Sequence, residues 1–309
     1  SVKHQEAGFQ ALKKGLEAHD QREGYRGSIA TTDMPAKIDD EALEELLHDL
    51  EKVEDLTPAV VIDITQSTIE TYTKGVGLIT LSDKGTQFGS LDLLVGSESV
   101  SPLEKGDLIY VRKNKIGFWL LSQLPAAEGA VVSIDSDTGA IHALVGGYNF
   151  YRNKFNHVTQ AKRQPGSSFK PFIYSAALER GFTPGTIIDD APFEIDESQT
   201  GFQPWDPQNY GGEFAGPINL RYALAKSKNL VAIRILQAIT PNYARSFLSR
   251  FGFNPKHHPP YLTMALGAGS TTPLEMARGY AVFANGGYLV EPHFITRIED
   301  IEGNPLFKR

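Results

Sequence analysis

Cysteine is missing from all 309 residues, which excludes disulfides, thiolate catalysis and cysteine-based zinc sites. That absence leaves the cellular compartment open. Also missing is any run of 18 apolar residues, so no segment of the sequence is long and apolar enough for a membrane-spanning helix. The first residues, Ser1-Val2-Lys3-His4-Gln5, offer no apolar stretch of the kind a signal peptide needs. Neither an internal repeat nor a low-complexity tract is present. An excess of positive charge is lacking too: 37 acidic against 30 basic residues give a net charge of -7, which argues against nucleic acid or an anionic membrane as the main partner.

What is present is the composition of a globular protein, 41% hydrophobic and 22% charged, with length for two or three domains. Residues 1–24 read as a helix: Ala7, Ala11, Leu12, Leu16 and Ala18 form an apolar stripe, and Gly24 is a stop signal. A second helix is expected over 39–52, capped by Asp39 or Asp40, with Leu43, Leu46, Leu47 and Leu50 at helical spacing. Between residues 58 and 124 the pattern shifts to short β-rich runs separated by Gly, Asn, Asp and Lys turns. About five such strands predict a small barrel of the oligonucleotide/oligosaccharide-binding (OB) type. From residue 129 two strands flank the turn Asp137-Thr138-Gly139, and helices are expected at 168–180, 219–239, 240–251 and 272–284. Strands followed by a run of helices predict an α+β domain with helices on an antiparallel sheet.

The chemistry is carried by Arg163-Gln164-Pro165-Gly166-Ser167-Ser168-Phe169-Lys170. Pro165-Gly166 breaks the chain before an apolar helix, so Ser167 stands at a helix start, where free N–H groups favour developing negative charge. Lys170, three residues on, shares its face. A serine hydroxyl needs a base to become a nucleophile, and a lysine serves once burial or a neighbouring cation lowers its pKa. Alone the pair is weak, because a serine in that place also acts as an ordinary N-cap. A second element, Ser227-Lys228-Asn229, offers a hydroxyl for proton relay and a carboxamide for a peptide-like substrate. Lys228 either points inward and depresses Lys170 by like-charge repulsion or ends in solvent. His257-His258, hemmed by prolines, reads as a loop rather than a metal site, and Gly146-Gly147 lacks the remainder of a phosphate-binding fingerprint. No metal and no cofactor is implied.

Taken together, Ser-x-x-Lys and Ser-x-Asn resemble the signature of the β-lactamases and penicillin-binding proteins. Longer stretches resemble the transpeptidase domain of class A penicillin-binding proteins: Lys154–Gln160 running into Ser167, Pro204-Trp205-Asp206-Pro207-Gln208-Asn209-Tyr210 running to Arg221, and Ala265–Gly269 with Thr272–Ala277. The likeness covers roughly residues 129–295. Upstream, Tyr25-Arg26-Gly27 looks like the junction after a glycosyltransferase domain. The resemblance implies a serine β-lactamase/penicillin-binding transpeptidase fold, α+β, plus a small all-β OB-like inserted domain. It divides the chain into linker helices (1–57) after a missing glycosyltransferase domain, the OB-like domain (58–124) and a transpeptidase domain (125–309) without its C-terminal part. The implied activity is that of a peptidoglycan D,D-transpeptidase acting through a serine acyl-enzyme, part of a bifunctional cell-wall synthase. Ser167 would be the nucleophile, Lys170 its base and Ser227 the relay, with Asn229 and Lys228 binding substrate. The implied partners are D-Ala-D-Ala stem peptides and β-lactam antibiotics, a cell-wall or outer-membrane protein for 58–124, and no nucleic acid. The implied location is the periplasmic face of the bacterial inner membrane, its anchor helix outside this chain.

One family element is absent. The sequence has no Lys-Thr-Gly after residue 229; Thr73-Lys74-Gly75 and Lys84-Gly85-Thr86 have another order and read as hairpin turns. We expect the chain to stop before that strand. Two other readings stay open on the residues alone. A β-lactamase would need a base poised over a deacylating water, and a non-catalytic sensor would not need the Ser167, Lys170, Ser227 and Asn229 set.

Overall fold

In the computed structural model the residues that can be described are 1–65, 67–82, 88, 102–192 and 205–309. They fall into two compact units, residues 9–129 with 147–154, and residues 1–8 with 130–146 and 155–309.

Helix α1 spans Val2–Glu23. In the unit centred on residues 9–129, Leu12 and Leu16 are buried, as the apolar stripe requires. β1 (Ala30–Thr31) leads to α2 (Asp40–Leu46), whose N-cap is Asp39, accepting from the Ala42 N–H. The helix expected over 39–52 ends at Leu46, and Lys74 Nζ donates to the carbonyls of His48 and Leu50 beyond it. The strands β2 (Thr57–Ile64), β3 (Thr68–Thr73), β4 (Gly77–Ser82), β5 (Asp107–Lys113) and β6 (Trp119–Ser122) follow, all antiparallel to their neighbours. Sheet order is β1-β5-β2-β3-β4 with β6 also on β5, and β4 approaches β6, drawing the sheet's ends together. Thr73-Lys74-Gly75 is a hairpin turn, as expected; Lys84-Gly85-Thr86 lies outside the described residues.

Strand β2 shows why this unit holds together. Ala59 and Val61 point into a core with Ile69, Leu81, Ile109, Val111 and Leu121, while Val60 points to the opposite face, where Leu43 of α2 and Leu47 at its C-cap cover it. A strand buried on both faces reads as a continuous apolar run, and Ala59-Val60-Val61 is that run.

The second unit begins with the hairpin β7 (Val131–Ile134) and β8 (Ile141–Val145). Its turn is held by Asp135 Oδ1, which accepts from the N–H groups of Asp137 and Thr138 and from the Thr138 hydroxyl. A 3-10 turn (Gly166–Phe169) leads into α3 (Lys170–Glu179). β9 (Ile187–Asp190) pairs with β10 (Gly216–Asn219), then come α4 (Leu220–Ala225), α5 (Asn229–Ile239), α6 (Pro241–Phe247) and α7 (Pro273–Ala284). α7 starts in a capping box between Thr272 and Glu275 and packs on β7. The hairpin β11 (Arg297–Glu299) and β12 (Pro305–Lys308) follows. α5 buries Leu230, Val231, Ala232, Ile233, Ile235 and Leu236 and leaves Gln237 and Ala238 exposed, a broad apolar face set against the core. Phe169, Phe172 and Ile173 of the α3 segment pack into the same cluster.

The single helix expected over 219–239 is two helices. Ser227 takes a left-handed conformation (φ 53°), its N–H donates to the Leu224 carbonyl and the Lys228 N–H donates to the Ala223 carbonyl. This pair of bonds is a Schellman closure of α4, in the position where glycine is the usual residue. Periodicity alone does not register the break, because the apolar stripe resumes in nearly the same phase at Leu230.

Candidate active site

Four of the five site residues predicted from sequence line one cleft of about 600 Å³: Ser167, Ser227, Lys228 and Asn229, with Asn209, Tyr210, Glu213, Tyr222 and Lys226 around them. The fifth, Lys170, lies beneath, 1% exposed. Each owes its place to a local break in regular structure. Gly166 has φ 59°, which turns the chain sharply before Ser167. Gly267 passes so close that a Cβ there would fall 2.2 Å from the Gly166 carbonyl oxygen, so the two backbones are in contact. From the other side the Tyr280 hydroxyl donates to the Ser168 carbonyl at 2.7 Å, and the Ser168 hydroxyl donates to Pro165 O at 2.6 Å. The turn carrying Ser167 is therefore braced by α7 and by the loop through Gly267.

Lys170 enters at the first residue of α3, and its ammonium nitrogen has three short contacts. It donates to Ser227 O (2.6 Å), Ser227 Oγ (3.0 Å) and Asn229 Oδ1 (2.6 Å). The left-handed turn at Ser227 is what lets its carbonyl and its hydroxyl face the same amine. Burial disfavours the charged form and lowers Lys170 from the ordinary 10.5 to about 8. A buried amine poised near neutrality, hydrogen-bonded to a serine, has the character of a general base.

Lys228 does something else. Its ammonium lies 2.8 Å from Asp190 Oδ2 and donates to Glu213 O at 3.2 Å. It is neither directed at Lys170 nor ended in solvent, and burial rather than like-charge repulsion accounts for the depressed Lys170. An opposite charge held at 2.8 Å outcompetes both placements expected from the sequence.

Two residues without an assigned role in the sequence reading complete the site. Asp190, at the end of β9 and fully buried, accepts from Asn209 Nδ2 (2.7 Å), Lys228 Nζ (2.8 Å) and the Ala215 N–H (3.0 Å). Burial alone would raise its pKa, but those hydrogen bonds outweigh it and hold the carboxyl below the usual range. Asn209 Oδ1 accepts from the Asn229 N–H at 2.9 Å, and Gln208 O accepts from Asn229 Nδ2 at 2.8 Å. The signal in the sequence was the polar run Asp206-Pro207-Gln208-Asn209 amid loop residues; nothing local tied it to Asp190. His258, expected in a loop, is buried with its ring stacked on Phe169 at 4.8 Å. Among the described residues no group of three or more His, Asp or Glu side chains is arranged to hold a metal.

The sequence matches the penicillin binding protein transpeptidase domain over residues 129–308 and the penicillin-binding protein OB-like domain over 25–127. It is similar to penicillin-binding protein 1A of Neisseria lactamica, 43% identical over 302 residues, which span 97% of this chain and 38% of that protein. The structure is similar to that of penicillin-binding protein 1A from Haemophilus influenzae, with a TM-score of 0.87 at 38% identity, covering 99% of this chain and 44% of the other. It is also similar to PonA1 of Mycobacterium tuberculosis in complex with penicillin V, with a TM-score of 0.51 at 32% identity over 59% of this chain and 51% of that one.

Proposed function

This chain belongs to the penicillin-binding protein transpeptidase family, a family of serine-type D,D-transpeptidases of cell-wall synthesis, and on that premise we propose that Ser167 is its nucleophile. The observation that carries the proposal is the Lys170 amine, buried and held by Ser227 and Asn229 at the floor of the cleft that Ser167 lines. In its neutral form Lys170 accepts the Ser167 hydroxyl proton as Oγ attacks the carbonyl between the two terminal D-alanines of a stem peptide. The C–N bond breaks, the proton passes from Lys170 through the Ser227 hydroxyl to the leaving D-alanine nitrogen, and an ester remains on Ser167. An amine of a second stem peptide then attacks that ester, gives up its proton by the same route and leaves a cross-link. Asn229, with one amide hydrogen on Gln208 O, has the other for a substrate carbonyl. The Ser167 N–H, at the start of the 3-10 turn, supports the oxyanion. A β-lactam, as a cyclic mimic of the dipeptide, acylates the same hydroxyl.

The wider protein is part of the same proposal. The chain spans 38% of the length of its Neisseria lactamica relative. We place residues 1–57 as a linker following a glycosyltransferase domain, 58–124 as an inserted domain that meets a cell-wall or outer-membrane protein, and 125–309 as transpeptidase, on the periplasmic face of an inner membrane. Labelling the intact protein with a fluorescent penicillin tests the assignment of the site. Ser167 should carry the adduct, Ser167→Ala should take none, and the adduct should persist for minutes or longer. Turnover within seconds would instead make the protein a hydrolase.

A further inference from the structure

α5 begins without a cap of its own. The residue at its N-cap is Lys228, a side chain that accepts no hydrogen bond, so the first N–H groups of the helix must find acceptors elsewhere. Asn209 provides one from a distant loop: its Oδ1 accepts from the Asn229 N–H at 2.9 Å and lies 3.5 Å from the Leu230 nitrogen. A carboxamide can sit either way round, and only one orientation presents oxygen to the helix. Asp190 selects it, because a carboxylate accepts and never donates, and it takes Asn209 Nδ2 at 2.7 Å. The same Asn209 Nδ2 also reaches Glu213 O at 3.0 Å. The other Asp190 oxygen takes Lys228 and the Ala215 N–H, so both of its oxygens are committed.

The consequence reaches the amine. Asn229 is the first residue of α5, its N–H is tied to Asn209, and its Nδ2 is tied to the carbonyl of Gln208, the residue beside Asn209. Asn229 is thereby held at two points by one loop, and this leaves its Oδ1 facing Lys170 Nζ at 2.6 Å. Resting on the reading of Lys170 as the base, we propose that Asp190 is a positioning residue for the transpeptidase reaction, acting through Asn209 to set the orientation of Asn229 and hence of Lys170. Asp190 does not touch substrate. Its part is to fix the sense of the Asn209 carboxamide, so that the Asn209 oxygen holds the Asn229 N–H while Gln208 O holds the Asn229 Nδ2, and the Asn229 Oδ1 is left to Lys170.

The test uses the intact protein and three variants, Asp190→Asn, Asn209→Asp and the exchange Asp190→Asn with Asn209→Asp. The measurements are the penicillin acylation rate across pH 6–10 and thermal unfolding. Asparagine at 190 brings amide hydrogens to a place where three donors already point, so Asp190→Asn should acylate at least tenfold more slowly and with a displaced pH profile. Asn209→Asp places two carboxylates side by side and should do the same. The exchange restores one donor facing one acceptor at both places, and it should recover a measurable part of the rate and move the profile back toward wild type, a coupling that independent sites do not show. A merely structural role would lower the unfolding temperature of each variant and leave the pH profile of the folded fraction in place. That result, a lack of recovery in the exchange, or an Asp190→Asn protein within twofold of wild type would overturn the inference while leaving the assignment of Ser167 intact. Wild-type protein that takes no penicillin would overturn both.

Discussion

Along β2 to β6 the backbone is a ladder: each strand is hydrogen-bonded to its neighbours, side chains alternate between two faces, and the core is Ala59, Val61, Ile69, Leu81, Ile109, Val111 and Leu121. Around Ser167 the backbone leaves regular structure wherever a functional group is presented. A left-handed glycine precedes Ser167, a 3-10 turn carries it, and a left-handed serine ends the helix opposite. The first region spends its sequence on repetition, the second on interruptions that a surrounding core holds in place. Stability and chemistry should therefore separate when the two are mutated.

The largest effect is expected at the amine. Lys170→Ala should slow penicillin acylation by about 10²–10⁴-fold, the usual range for a lost general base. In the wild type the rate should rise with pH through about 8 and level off above, because only the neutral amine accepts a proton. That rising limb should vanish in the variant. Stability follows with a defined sign. The folded lysine releases its proton at about 8 and the unfolded one at the ordinary 10.5, so between these values the unfolded chain binds more protons and stability rises with pH. Lys170→Ala should flatten that rise in pH-dependent unfolding. A wild-type rate that is flat from pH 6 to 10 would remove Lys170 from its role.

Next in size is the ladder. Leu121→Ala, in a fully buried site on β6, should cost about 2–5 kcal/mol in denaturant unfolding of its unit. The acylation rate of the folded protein should remain within twofold of wild type. A fall in that rate equal to the loss at Lys170 would abolish the distinction between the two regions.

The smallest effect sharpens it. Ser227→Ala and Ser227→Gly remove the same hydroxyl, but only glycine relieves the left-handed backbone at φ 53°. The glycine variant should be more stable than the alanine variant by about 1–2 kcal/mol in thermal unfolding, with both slow to acylate. Equal stabilities would mean that the turn stores no strain.

The same contrast explains what could be read from the sequence. Strands announced themselves as short β-rich runs between turn residues, and β2 to β6 lie in the stretch of about 58–124 where those runs predicted them. The α+β pattern, and Ser167, Lys170, Ser227 and Asn229 as a candidate set, were legible because short motifs survive without knowledge of the fold. The break at Ser227 was not, since helical periodicity carries across it from Ala223 to Leu230. Nor was the partner of Lys228: Asp190 is 38 positions away in the chain and reaches it at the end of a two-stranded pair, a proximity that no local pattern encodes. Asn209 stood in a recognisable run, yet its task, serving a helix that has no cap, becomes visible only once that helix start is known.

Gly267 carries a last consequence, for how this molecule can vary. Every missense change at a glycine codon adds at least a Cβ, and at 267 that atom would collide with the Gly166 carbonyl, next to Ser167. The position therefore has no neutral neighbours in sequence space. Tyr210 and Tyr222, by contrast, are exposed beside the cleft, where a changed side chain meets solvent rather than backbone. A library covering both kinds of position, sorted for penicillin labelling, would show 267 empty and 210 and 222 populated.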